Sequence, residues 1–263
     1  IQERQLTTLG ANIRALRVQG TFDDCQALVK RAFQDPVLFD NQALTSANSI
    51  NVARWLPQML YYVRAIQQRP PEANPPVFSV PSGNFGNLCA VLLASQMGMP
   101  GAHFIAATNP NDTIPRYMES ENYDPKPAVP TLSNAMDVAD PSNFVRIREL
   151  FKNDFPKLAA KLSAYSYTDA QTLEAIQTLF QSYAYIADPH GAVGYLGLVK
   201  YLEAHPHHTG IFLETAHPIK FRETVETCLH RELELPLQIQ GLLDREKVFS
   251  DISTYEELRE ALR

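Results

Sequence analysis

The sequence predicts an α/β protein, and three observations carry that reading. Short apolar runs alternate with segments of helical periodicity along most of the 263 residues. One such run, Val77–Val80, leads through a glycine-containing turn straight into a helical stretch. Hydrophobic residues make up 45% of the chain and charged residues 20%, proportions that place it among folded rather than disordered proteins.

Taken in order, Asn12–Val18 alternates apolar and polar residues and predicts a strand with Ile13, Ala15 and Leu16 inward. Thr21 and Asp24 have the spacing of a capping box, after which Cys25, Leu28, Val29 and Phe33 share one helical face. From Asn51 onward Val52, Trp55, Leu56, Met59, Leu60, Val63 and Ile66 keep an i, i+3, i+4 rhythm, the clearest helix in the chain. The proline-rich stretch RPPEANPP at 69–76 marks a boundary between two lobes, residues 1–75 and 76–232, with a tail at 233–263. Val77–Val80 reads as a buried strand, and the helix after it starts near Gly86, carries Leu88, Val91 and Leu92, and stops near Gly98 and Pro100. His103–Ala107 is a second strand. Residues 109–143, rich in Pro, Asn, Asp and Ser, predict a long excursion over the surface.

Thr168 and Gln171 cap a helix with Leu173, Ile176, Leu179 and Phe180 on its core face. Asp188-Pro189, an N-cap followed by proline, opens another that carries Val193, Leu196 and Tyr201. Ile211–Leu213 is a further strand, Phe221, Val225 and Leu229 line the next helix, and a last helix spans about Tyr255–Leu262. Neither an internal repeat nor a low-complexity segment is present.

Composition narrows the function. Lys and Arg number 23 against 29 Asp and Glu, so a net charge of −6 offers nothing to attract nucleic acid or an anionic membrane. No run reaches the roughly 18 apolar residues of a membrane span. Cys25, Cys89 and Cys228 lie far apart on helical faces, which excludes a zinc ribbon or disulfide framework and fits structural thiols in the reducing cytoplasm. No His or carboxylate spacing forms a metal cage.

Three polar segments could carry chemistry. In VPSGNFGN, Val80–Asn87, two glycines and a helix start allow backbone N–H groups to approach an anion, with Ser82 and Asn84 nearby. The turn lacks the Walker A lysine and the third glycine of a dinucleotide fingerprint. Phosphate binding and a turn needing glycine for geometry alone fit it equally. SANSINVAR, Ser46–Arg54, gathers Asn48, Ser49 and Arg54 at a helix start, beyond what capping requires. LETAHPIKF, Leu213–Phe221, follows a strand at the end where open α/β sheets place ligands, and offers Thr215, His217 and Lys220. His217 reads as a cap and Lys220 as a solvent-facing amine.

These segments, with GTFDDCQALVK (20–30), AATNPNDTIPR (106–116) and TLSNAMDVADPSNF (131–144), resemble the threonine synthase family over nearly the whole chain. The resemblance implies an α/β fold with the open sheet–helix layers of the tryptophan-synthase-β-like (fold type II) enzymes, in two lobes. It implies pyridoxal 5'-phosphate as cofactor, held by Ser82, Gly83, Asn84, Phe85, Gly86 and Asn87, with Thr215 against the pyridine nitrogen. Asn48, Ser49 and Arg54 match the family's ligands for the phosphate of the substrate, O-phospho-L-homoserine, which is converted with water to L-threonine and phosphate. The family's Schiff-base lysine lies N-terminal to GTFDDCQ, and no lysine here has matching surroundings. With a first residue other than Met, the expectation is a C-terminal portion lacking its N-terminal part, with no catalytic residue of its own. Two alternatives are a non-catalytic phosphate-binding relative and a sibling fold type II dehydratase.

Overall fold

The computed structural model describes residues 2–262 apart from 9, 11 and 42. The outer limits predicted for the first lobe and the tail, residues 1 and 263, lie outside the described residues. Helix α1 (Gln2–Thr7) and strand β1 (Leu16–Val18) open the chain, followed by α2 (Phe22–Gln34), α3 (Pro36–Asn41) and α4 (Trp55–Gln67). Next come β2 (Val77–Pro81), α5 (Gly86–Gln96), β3 (His103–Thr108), α6 (Thr113–Ser120), α7 (Phe144–Leu150) and α8 (Phe155–Ala159). Strand β4 (Leu162–Ser166), α9 (Asp169–Tyr183), α10 (Pro189–Ala204) and β5 (Gly210–Phe212) lead to α11 (Arg222–Leu229), α12 (Leu237–Leu243), β6 (Ser250–Ile252) and α13 (Tyr255–Ala261).

Strands β2 to β5 form one parallel sheet in the order β4-β3-β2-β5. The central strands β2 and β3 are buried at every residue because helices cover both faces. On one face α5 is buried nearly all round, and Leu88 and Leu92 share a core with Tyr62, Phe78, Phe104 and Phe144. On the other face α10 lies close to the sheet through its glycines. A Cβ at Gly197 would come within 2.9 Å of Ala107 Cβ and Ser79 Oγ, and Ser79 Oγ donates to the Gly194 carbonyl at 2.6 Å.

Several expectations change. The first strand covers only Leu16–Val18, because its partner β6 is equally short, and Ile13 is exposed rather than inward. Residues 52–54 form a 3-10 turn before α4, whose buried face is Trp55, Met59 and Tyr62 while Leu56 and Leu60 face outward. The 109–143 stretch is no mere surface excursion. Ile114 and Tyr117 of α6, with Met136 and Val138, enter the core, and Asn109, Thr113, Ser133 and Asn143 are buried too. The residues after 249 return to the start of the chain: β6 pairs with β1, and Tyr255, Leu258 and Leu262 pack with Ala32 and Leu38.

Candidate active site

From β2 the chain steps to β3 and β4, then returns to add β5 on the opposite side of β2. The segments leaving β2 and β5 therefore part at a topological switch point, where open parallel sheets bind ligands. Ser79 pairs with Phe212, and the Leu213 N–H donates to the Ser79 carbonyl at 3.0 Å, so 82–87 and 213–217 emerge from the same edge.

Ser82 is buried; its N–H donates to the Ala107 carbonyl at 2.8 Å and its hydroxyl to the Val80 carbonyl at 2.8 Å. Phe85, with φ of 62°, then takes the left-handed conformation as N-cap of α5 and provides no side-chain cap. That reversal turns successive N–H groups inward. Among the described residues, the N–H groups from Gly83 to Leu88 find no protein acceptor. An unpaired row of donors at the start of a buried helix is costly without an anion or water to receive it. Both glycines are also required by packing: a Cβ at Gly83 would lie 2.6 Å from Met136 Cα, and one at Gly86 would overlap Ser49 Cβ. Glycine alone therefore decides nothing here, and the open N–H row is what points to a phosphate.

Around the cradle runs a polar network. Asn84 Nδ2 donates to Ser49 Oγ at 3.3 Å and Gln26 Oε1 at 3.4 Å, while its Oδ1 accepts from the Ser142 N–H and hydroxyl. Buried Asn143 donates to Ser49 Oγ at 2.9 Å and to the Asn84 carbonyl at 2.8 Å. Arg146 donates to the carbonyls of Ser49 and Ile50 and to Asn143 Oδ1. Asn48 Oδ1 accepts from the Ile50 N–H at 3.1 Å and from Ser49 Oγ. Asn87 Oδ1 accepts from the buried Tyr62 hydroxyl at 2.7 Å, which leaves its amide nitrogen free.

Thus Ser82, Gly83, Asn84, Phe85, Gly86 and Asn87 form one cradle, and Asn48 and Ser49 abut it. Arg54 stays exposed on its 3-10 turn, as does Thr215 on the turn after β5, and among the described residues neither side chain has a hydrogen-bond partner. His217 caps its turn, its Nδ1 accepting from the Ile219 N–H at 3.1 Å. Lys220 lines a separate cavity of about 540 Å³ with Asn134 and Arg222. Cys89 and Cys228 are buried, Cys25 is half-buried, and all three are free thiols. Beside the network a cavity of about 920 Å³ is lined by Lys30, Arg146 and Arg148, with Asn51 and Ser142. Sequence reading missed Gln26, Asn143 and Arg146; a hint lay in Asn143, inside a quoted motif at a helix start it does not cap.

Residues 2–211 match the family described as pyridoxal-phosphate dependent enzyme, and residues 191–262 match that described as threonine synthase, C-terminal. The chain belongs to the pyridoxal-phosphate-dependent enzyme family. Threonine synthases are among its most similar relatives. That of Haemophilus influenzae is 49% identical over 237 residues, covering 90% of this chain and 55% of its own length. The crystal structure of threonine synthase from Escherichia coli superposes with a TM-score of 0.94 at 43% identity, over 99% of this chain and 60% of that one. The pyridoxal-phosphate-bound threonine synthase from Brucella melitensis gives 0.83 at 32% identity, over 99% and 61%. The fold is therefore that of the fold type II enzymes, and the chain spans little more than half the length of these relatives. Pyridoxal phosphate is the family cofactor, and the open N–H row of the cradle fits its phosphate.

Proposed function

We propose that this chain is the C-terminal portion of a cytoplasmic threonine synthase that converts O-phospho-L-homoserine and water to L-threonine and inorganic phosphate. One observation carries the reading: the Asn48–Ser49 segment is hydrogen-bonded directly to the cradle, through Ser49 and Asn84 at 3.3 Å. Two anion-suited segments then stand side by side, one for the cofactor phosphate and one for a substrate phosphate. A serine or threonine dehydratase has no second phosphate to hold. The cation-lined cavity alongside, in a chain of net charge −6, supports an anionic substrate as well.

When bound, pyridoxal phosphate supplies the electron sink for bond changes at the substrate's α, β and γ carbons. The backbone N–H groups of 83–88 would hold its phosphate, and the neutral Thr215 hydroxyl would serve its ring nitrogen without forcing a proton onto it, as a carboxylate would. Asn48 and Ser49 orient the substrate phosphate. Arg54 adds a charged planar fork, and such stabilisation of a departing anion is worth about 3 kcal/mol of barrier. The resemblance to the family puts the cofactor-bearing lysine in the part of the full-length protein outside this chain, which spans 55% of the Haemophilus influenzae relative and 60% of the Escherichia coli one, and Lys220 lines a different cavity.

The test uses the full-length protein with pyridoxal phosphate and O-phospho-L-homoserine. Threonine and phosphate should appear in equal amounts. Ammonia and a keto acid from serine or threonine, without phosphate release, would show a dehydratase instead. Cofactor binding with no turnover of either substrate would show the non-catalytic relative.

A further inference from the structure

We propose that Glu214 is a protonated positioning residue whose carboxyl group donates to the Asp188 carboxylate, and that this pair, with His190, ties the turn bearing Thr215 to the start of α10 and to the 131–137 segment. Asp188 is fully buried and caps α10, its Oδ1 accepting from the His190 N–H at 2.8 Å and lying 2.6 Å from His190 Nδ1. His190 Nε2 accepts from the Ala135 N–H at 3.2 Å, so the ring proton sits on Nδ1 and points at Asp188. Ala135 in turn lies against Gly83 of the cradle. Glu214 Oε1 accepts from the Asp188 N–H at 2.8 Å.

The two remaining carboxyl oxygens, Asp188 Oδ2 and Glu214 Oε2, are both buried without any other partner. One shared proton satisfies both, whereas two carboxylates would leave like charges facing each other out of water. Among the described residues no Lys or Arg pairs with either group, and the other titratable neighbours are His190 and Tyr185. Burial, reinforced by Asp188, pushes Glu214 up to about 9. Burial also opposes the Asp188 charge, but hydrogen bonds from His190 and Glu214 outweigh it and hold Asp188 below the usual range. Gly191 makes the arrangement possible, since a Cβ there would overlap Glu214 Oε2.

The sign of the pH effect follows. The folded protein keeps a proton on Glu214 that the unfolded chain releases above the ordinary carboxyl range, so this stabilisation is full below about pH 4.5 and is lost as pH rises through about 9. In the full-length protein, the melting temperature should fall between pH 5 and 9.5. Glu214→Gln keeps both hydrogen bonds without titrating and should abolish that fall; an unchanged fall overturns the proposal. As a second measure, Gly191→Ala should lower the melting temperature, and adding Glu214→Gly should restore much of it by vacating the space. Simple additivity of those two losses would also overturn it. The consequence for the cofactor rests on the Thr215 assignment proposed above. Phosphate release from O-phospho-L-homoserine tests that assignment separately: release with a pH profile unaffected by Glu214→Gln refutes the pair alone, and the reverse refutes the reaction alone.

Discussion

Phe85 combines backbone strain and packing at the centre of the site. A left-handed φ costs a non-glycine residue about 1–2 kcal/mol, yet the ring is buried and meets Phe144 edge-on at 6.0 Å. Phe85→Gly should relieve the strain and still destabilise the protein by about 2 kcal/mol, because removing a large buried ring costs about 3–5 kcal/mol. Denaturant unfolding measures the loss, and cofactor retention should fall with it. Two arginines separate along the same lines. Arg146 holds the carbonyls of Ser49 and Ile50, and its removal leaves acceptors unpaired at about 1–3 kcal/mol each where burial is complete. Arg146→Ala should therefore lower both stability and cofactor affinity. Arg54 is exposed, and among the described residues its side chain has no hydrogen bond or ion pair, so Arg54→Ala should leave the unfolding midpoint unchanged and weaken only use of the phosphorylated substrate. Equal loss of cofactor binding in Arg54→Ala would remove it from the substrate pocket. At this scale the motifs were legible because the Gly, Ser and Asn residues of each act within a few positions. Gln26, Asn143 and Glu214 were not, since Asn84 lies 58 residues from Gln26, Ser49 94 from Asn143 and Asp188 26 from Glu214, and only folding joins them.

At the scale of elements, the caps were the most readable feature. Thr21 with Asp24 and Thr168 with Gln171 both form full capping boxes, and Asp188 caps α10, because these bonds span two or three residues. Thr168→Ala should cost about 1 kcal/mol and lower the melting temperature by a few degrees without changing cofactor content. Strand β4, LSAYS, escaped detection because an edge strand needs little apolar sequence, and only Leu162 is fully covered. The 109–143 stretch looked like solvent-exposed loop for a different reason. Its polar residues satisfy one another: Asn109 Nδ2 donates to Thr131 Oγ1 and to Asp137 Oδ1, both at 2.8 Å, and burial raises the Asp137 carboxyl. Polar composition there builds a packed wall behind Gly83 and Phe85. Helix α4 shows the opposite case, where a long apolar rhythm did not mean a fully buried helix, since Leu56 and Leu60 remain exposed.

For the whole molecule, the α/β class and the strand–turn–helix unit at β2 and α5 could be read from periodicity, but the strand order could not. The return of β5 to the far side of β2 is what brings Thr215 to the same edge as the cradle, and no local pattern encodes it. The docking of β6 and α13 onto β1 and α2 is likewise a contact between chain segments more than 200 residues apart, Tyr255 reaching Asp35 at 2.8 Å over a separation of 220. The Ser49–Asn84 and Ser49–Asn143 hydrogen bonds, over 35 and 94 residues, likewise set the Asn48–Ser49 segment beside the N–H row of 83–88, which we propose holds the cofactor phosphate. The phosphorus NMR resonance of pyridoxal phosphate in the full-length protein tests it most directly. A free phosphate monoester takes up its second proton near pH 6, whereas one held by the N–H row of 83–88 should stay dianionic and keep its shift from about pH 5.5 to 8. A bound resonance that titrates like the free cofactor would contradict it.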